Sequence, residues 1–255
     1  TNRGVLSKQS ATPTALAGQT MSRAYRVLGN PRYLLAADAA LEWQKQRPAV
    51  DSPWYRGLYI SQLIEHYRTI HDATFLNQAL DEALYLIGRQ LPNGSWSGKH
   101  PLTTGEHAVL TTALLDLENN LITAHPATRR LGLAINAALN FLLENQLESG
   151  GFTSAAVELA DEKTPTYEII ALIRARHVRG MKEFDYPIRG AVRALNNHES
   201  NTGNLWRATQ DGRFLAMANA MVWFVQLQME PDHESRQTTP ARPDSLSGDN
   251  PVPGI

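Results

Sequence analysis

The chain has 255 residues, 42% of them hydrophobic, with 24 Lys plus Arg against 25 Asp plus Glu and no cysteine. That length and apolar content suffice for one domain with a substantial core. A net charge of -1 gives no electrostatic footprint for nucleic acid or an anionic membrane. Without a thiol there is no thiolate catalysis, thiolate-bound zinc or disulfide, which is compatible with an exported (periplasmic or secreted) or a cytosolic protein. No stretch approaches the roughly eighteen consecutive apolar residues of a membrane span.

The start, Thr1-Asn2-Arg3-Gly4, has neither an initiator Met nor a signal-type apolar run, so a mature form or an excised domain is expected, with room for another domain N-terminal to it. Residues 1 to 12 are polar and aperiodic and read as a lead-in. A first helix is predicted from Pro13, with Thr12 as its cap, to Leu28, where Gly29-Asn30-Pro31 stops it. Its partner runs from Arg32 to about Gln46, with Leu34, Leu35, Ala39, Leu41 and Trp43 forming a broad apolar stripe. Ser52-Pro53 repeats the cap-then-proline start and opens a helix from Trp54 to about His71.

An amphipathic helix is then predicted over Phe75 to Arg89 and a more apolar one over Glu106 to Leu117, joined through Gln90-Leu91-Pro92-Asn93-Gly94-Ser95-Trp96. Arg130 to Asn145 is apolar almost all round. After it, Gln146-Leu147-Glu148-Ser149-Gly150-Gly151-Phe152 repeats the earlier plan of glutamine, glycine turn and aromatic plug. Thr164-Pro165-Thr166 duplicates Thr12-Pro13-Thr14 and opens a helix from Tyr167 to Val178. A shorter helix follows over Pro187 to about Leu195, then a loop from Asn196 to Asp211, and a strongly apolar helix from Arg213 to Met229. From residue 230 the Pro, Ser, Asp and Gly content reads as a disordered tail or linker.

The chain is therefore expected to be all-α, with about nine helices in hairpins recurring every 40 to 60 residues or so. Amphipathic helices alternate with more uniformly apolar ones, which implies an outer layer facing water and an inner layer buried on several sides. Aromatic and small residues on the inner helices favour closure into an incomplete (α/α)n toroid over residues 13–229, a straight HEAT-type solenoid being the alternative. Five inner and four outer helices are expected, with the first unit lacking its outer member.

Gly29-Asn30-Pro31-Arg32-Tyr33-Leu34-Leu35-Ala36-Ala37 and the two Gln-to-aromatic turns resemble the repeats of α/α-toroid proteins. That superfamily includes six-hairpin glycosidases, toroidal polysaccharide lyases, sugar epimerases, and the terpene cyclase and prenyltransferase group. The resemblance implies a substrate cleft where the inner helices begin. At that level stand Trp54, Tyr55, Arg56, Glu106, His107, Tyr167, Glu168 and Arg213.

Glu106, His107, Tyr167 and Glu168 are the candidate catalytic residues: the imidazole or phenol to move a proton, the two carboxylates as a pair. Arg56 and Arg213 are candidates to neutralise a substrate carboxylate, Trp54, Trp96 and Trp206 to stack on sugar faces, and Tyr55 to contact substrate at the same level. Each has a plainer reading. An acid in a first helical turn is favoured by the helix dipole, and Trp96 and Phe152 in glycine turns suit plugs between helices. Absent are an Asp-rich diphosphate motif, a cysteine zinc site, a phosphate loop, His-Glu-x-x-His and Gly-x-Ser-x-Gly, so no metal and no cofactor are expected, an oxygen-liganded calcium being the alternative left open. The expectation is a carbohydrate-active toroid domain acting on an acidic oligo- or polysaccharide by lyase, hydrolase or epimerase chemistry. The alternative is a non-catalytic helical-repeat domain that holds a protein partner or props up a neighbouring domain.

Overall fold

A computed structural model describes residues 11–46, 52–99, 101–121, 125–153 and 166–201. Among these are eight α-helices: α1 (Ala11–Leu28), α2 (Pro31–Lys45), α3 (Pro53–Ile70), α4 (Ala73–Ile87), α5 (Thr104–Glu118), α6 (Thr128–Glu144), α7 (Thr166–Arg179) and α8 (Asp185–Asn201). A short 3-10 turn, Lys182–Phe184, leads into α8. The local sequence explains most of the boundaries. The Asn30 side chain accepts from the Arg32 N–H at the start of α2, and Asp72 does the same for Thr74 at the start of α4. His71, at φ 59, turns the chain after α3 in the left-handed conformation.

The helices form two layers. Odd-numbered helices lie side by side in the order α1, α3, α5, α7, and each even-numbered helix packs on the odd one before it. Burial follows that division: ten of the fifteen residues of α5 are buried, against four of fifteen in α4, so α5 is an inner helix and α4 an outer one. Leu110, Leu114, Leu115 and Leu117 of α5 have no solvent exposure and join α3 and α7 in one core. Each such leucine contributes on the order of 2 kcal/mol of burial free energy.

The repeated turn is the joint between hairpins. Gln90 Nε2 donates to Gly94 O (2.9 Å) within its own turn and to Ala134 O (3.0 Å) on α6. Gln146 Nε2 does the same to Gly150 O (3.1 Å) and to Pro187 O (2.9 Å) on α8. Both turn glycines have positive φ, 84° and 92°, and a Cβ on either would stand 2.0 Å from a backbone oxygen, Ala137 O or Gly190 O. Only glycine lets these turns press onto the next outer helix. The buried rings of Trp96 and Phe152 close each joint from beneath.

Two expectations need correction. α1 does have an outer partner, α2, so the first unit is complete. The helix beginning near Pro187 runs on to Asn201, where a loop from Asn196 was expected. No Gly or Pro falls between Ala191 and Asn201, and the asparagines there are weak helix formers rather than breakers. Ala11 and Thr12, read as lead-in and cap, already belong to α1, while residues 1–10, the expected helix from Arg213 to Met229 and the tail lie outside the described residues.

Candidate functional site

Trp54 is the second residue of α3 and Tyr167 the second of α7, with α5 between the two helices. Their rings nonetheless meet edge to face, with centroids 6.0 Å apart. The start of α5 lies against Tyr167 and Glu168 at Gly105. A Cβ there would stand 3.5 Å from both the Tyr167 ring and Glu168 Oε1. The first residue of α5, Thr104, donates from Oγ1 to Glu168 Oε1 at 2.7 Å. The starts of α3, α5 and α7 thus form one rim carrying Trp54, Thr104, Gly105, Tyr167 and Glu168.

Glu168 is the titratable centre of that rim, only 5% exposed. Burial pushes its pKa above the ordinary carboxyl value, against the opposing pull of the Thr104 hydroxyl and its own backbone N–H. A place in the first turn of α7 should favour the anion through the helix dipole, yet desolvation wins. Burial likewise raises the Tyr167 pKa, with the neighbouring Glu168 adding to it. The arrangement is a carboxyl biased toward its protonated form beside two aromatic rings, a combination able to give a proton to a bound molecule.

Other candidates have different employment. The Glu106 carboxylate accepts from the Thr103 N–H at 2.8 Å and its hydroxyl at 3.2 Å, while Thr103 Oγ1 accepts from the Glu106 N–H. That reciprocal cap starts α5 and occupies the acid proposed as half of a catalytic pair. His107, 3% exposed, lies inside the core, stacked on Trp96 with its edge to Phe141. Its Nδ1 accepts from the Trp96 N–H at 3.4 Å, and burial lowers its pKa to about 4, so it is a neutral packing residue instead of a proton carrier. Trp96, 2% exposed, donates from Nε1 to Leu86 O at 3.0 Å and is a plug, not a sugar platform.

Helical rotation explains where Tyr55 and Arg56 go. Successive residues turn by about 100°, so when Trp54 faces α7 the next two face the outer layer. Tyr55 donates to Gln44 Oε1 of α2 at 3.2 Å. Arg56 is ion-paired with Glu82 of α4 and lies over the Tyr85 ring, 3.9 Å from its centroid. Arg56 is therefore not a free clamp for a substrate carboxylate at the rim. Trp206 and Arg213 lie outside the described residues. Sequence reading missed Thr104 and Gly105, because neither bears a signal until α7, more than sixty residues on, is known to lie against them. Among the described residues no group of three or more His, Asp or Glu is placed to hold a metal ion, and no helix is long and apolar enough to cross a membrane.

No family model matches the chain, and no curated protein matches it significantly. Solved structures do. A glycosyl hydrolase family 88 protein from Bacteroides vulgatus is similar with a TM-score of 0.60 at 10% identity, over 71% of this chain and 60% of that one. Cellobiose 2-epimerase from Bacillus thermoamylovorans B4167 gives 0.59 at 14%, over 73% and 60%. A possible member of the GH105 family from Salmonella enterica subsp. enterica serovar Paratyphi A gives 0.61 at 16%, over 71% and 57%. The chain has the α/α-toroid fold that these structures share, and it spans about 60% of the length of the first of them.

Proposed function

We propose that this is a carbohydrate-active α/α-toroid domain, with its substrate cleft at the rim formed by the starts of α3, α5 and α7. The observation that carries the reading is the buried Glu168 carboxyl, held by the Thr104 hydroxyl beside the Trp54 and Tyr167 rings. Glu168 is the acid that protonates a leaving oxygen, and Trp54 and Tyr167 form the wall against which a sugar ring packs. A carboxyl that stays protonated above the ordinary range suits glycosidic hydrolysis better than abstraction of a carbon-bound proton, which needs the anion. The named activities of the similar structures, glycosyl hydrolase and sugar epimerase, agree with a saccharide substrate. An acidic sugar fits because three helix N-termini direct their positive dipole ends to one rim.

The test is a panel of uronic-acid oligosaccharides and their neutral counterparts, assayed with the wild type, Glu168→Gln and Trp54→Ala. Glu168→Gln should lower kcat by about a hundred- to ten-thousand-fold, and Trp54→Ala should raise KM more than it lowers kcat. Turnover unchanged by Glu168→Gln, or no turnover of any sugar by the wild type, would overturn the reading and leave the non-catalytic repeat domain in its place.

A further inference from the structure

A polar cavity lies on the outer side of α3, opposite the face that Trp54 turns to α7. It has a volume of about 420 Å³ and is walled by the end of α2, the first turns of α3 and the middle of α4. That is toward the small end of the roughly 300–1,000 Å³ typical of ligand pockets. Its walls are preorganised. Arg56 is fixed by Glu82 and by the Tyr85 ring, and Tyr55 is fixed by Gln44, whose amide nitrogen in turn donates to the buried Gln62.

The chemistry of the lining selects a class of ligand. Two cations, Lys45 and Arg56, are balanced by two anions, Asp81 and Glu82, so neither a cation nor an anion is favoured. Burial, with Glu82 next in effect, pushes the Tyr59 phenol up to about 12, so it remains an O–H donor across the working pH range. Gln78 Oε1 and Arg56 Nε belong to two lining residues and are buried without a hydrogen-bond partner. Each such unpartnered group destabilises the fold, and a small rotation of the half-buried Gln78 side chain toward a ligand hydroxyl would recover part of that loss. Closely spaced donors and acceptors, aromatic walls and no net charge suit vicinal hydroxyl groups. We propose that this cavity binds a small neutral polyhydroxylated molecule, a mono- or disaccharide, independently of the rim.

The experiment uses the full chain with glucose, cellobiose and glucuronate as probes, read by saturation-transfer NMR and titration calorimetry. Glucose or cellobiose should bind saturably, with glucuronate weaker. Gln78→Leu and Asp81→Ala should each weaken binding by about tenfold, the effect of losing one good hydrogen bond, while Trp54→Ala, which removes the sugar wall at the rim, leaves binding in the cavity unchanged. Should Gln78→Leu unfold, the exposed Asp81 decides alone. Absence of binding by either neutral sugar, binding insensitive to the cavity substitutions, or binding abolished by Trp54→Ala would each overturn the assignment, leaving a cavity filled by water or a sugar held at the rim.

Discussion

Two glutamates on the inner helices are almost equally hidden, Glu65 at 3% exposure and Glu168 at 5%, and their pKa values move in opposite directions. Glu65 stands in the C-terminal half of α3, where burial alone would raise its pKa, but Arg23, Arg68 and Arg26 together overcome that and lower it. It is one link in a chain of charges across the inner layer. Arg26 of α1 meets Glu65 at 2.7 Å, Arg68 lies 2.9 Å from Glu65 and 3.3 Å from Asp116 of α5, and Arg174 Nε of α7 donates to Asp116 at 2.7 Å. Glu168, at the opposite ends of the same helices, has one hydroxyl where Glu65 has three guanidinium groups. Similar burial thus goes with a lowered pKa where guanidinium groups tie the helices together at one end, and with a raised pKa where only a hydroxyl answers it at the other.

The largest expected effect breaks the first member of that pair. Glu65→Gln leaves three arginines facing one another over a buried position and should cost roughly 3 kcal/mol, the low end for an interrupted buried ion network because Arg23 is 58% exposed. Urea unfolding should show a lower midpoint with an unchanged slope. Since the folded pKa of Glu65 is depressed, its stabilisation is present above the ordinary value of 4.5 and is lost as pH falls through the lower folded value. The wild type should therefore lose its advantage over Glu65→Gln in acid. A difference under about 0.5 kcal/mol at neutral pH would place Glu65 among ordinary surface charges.

That contrast bears on what could be read in the sequence. The layers were legible because alternation of amphipathic and uniformly apolar helices is a local property, and both Gln-to-aromatic turns were visible as repeats. The site was legible only in part. Position along the chain brings Trp54, Tyr167 and Glu168 to one level, and the structure unites them. It does not give rotation about the helix axis, which sends Tyr55 and Arg56 outward from the same turn. Nor does it separate an acid that caps its own helix from one turned toward another. Glu106 had the Thr103 capping signature, while Glu168 had a partner, Thr104, that only the packing of α7 on α5 supplies.

His107 sharpens the comparison, since it is a buried group in the first turn of α5 whose pKa is shifted by burial alone. Its folded pKa of about 4 lies below the ordinary 6.5, so the fold prefers the neutral ring. Stability from this preference is complete above 6.5 and is lost as pH falls from there through about 4. The total is about 3 kcal/mol at roughly 1.4 kcal/mol per pH unit. His107→Gln keeps an acceptor for the Trp96 N–H but cannot take a proton, so unfolding free energies of the two chains should converge across that window. Parallel curves would show that His107 is not what acid attacks.

The smallest effect concerns Glu168 itself. Its folded pKa is raised, so its contribution to stability is fully present below the unfolded value of 4.5 and is lost as pH rises through the folded value. At neutral pH the carboxylate is a cost to the fold, the reverse of Glu65. Glu168→Gln should therefore gain about 0.5–1 kcal/mol near neutrality, the size common for a single stabilising replacement, and nothing in acid. Thr104→Val should act in the same sense on chemistry: without the hydroxyl that pulls the pKa down, the alkaline limb of any pH–rate profile moves to higher pH. A gain from Glu168→Gln that persists unchanged in acid would mean that shape, not charge, is what the fold resists at the rim. The contrast between the two glutamates would then be one of packing alone.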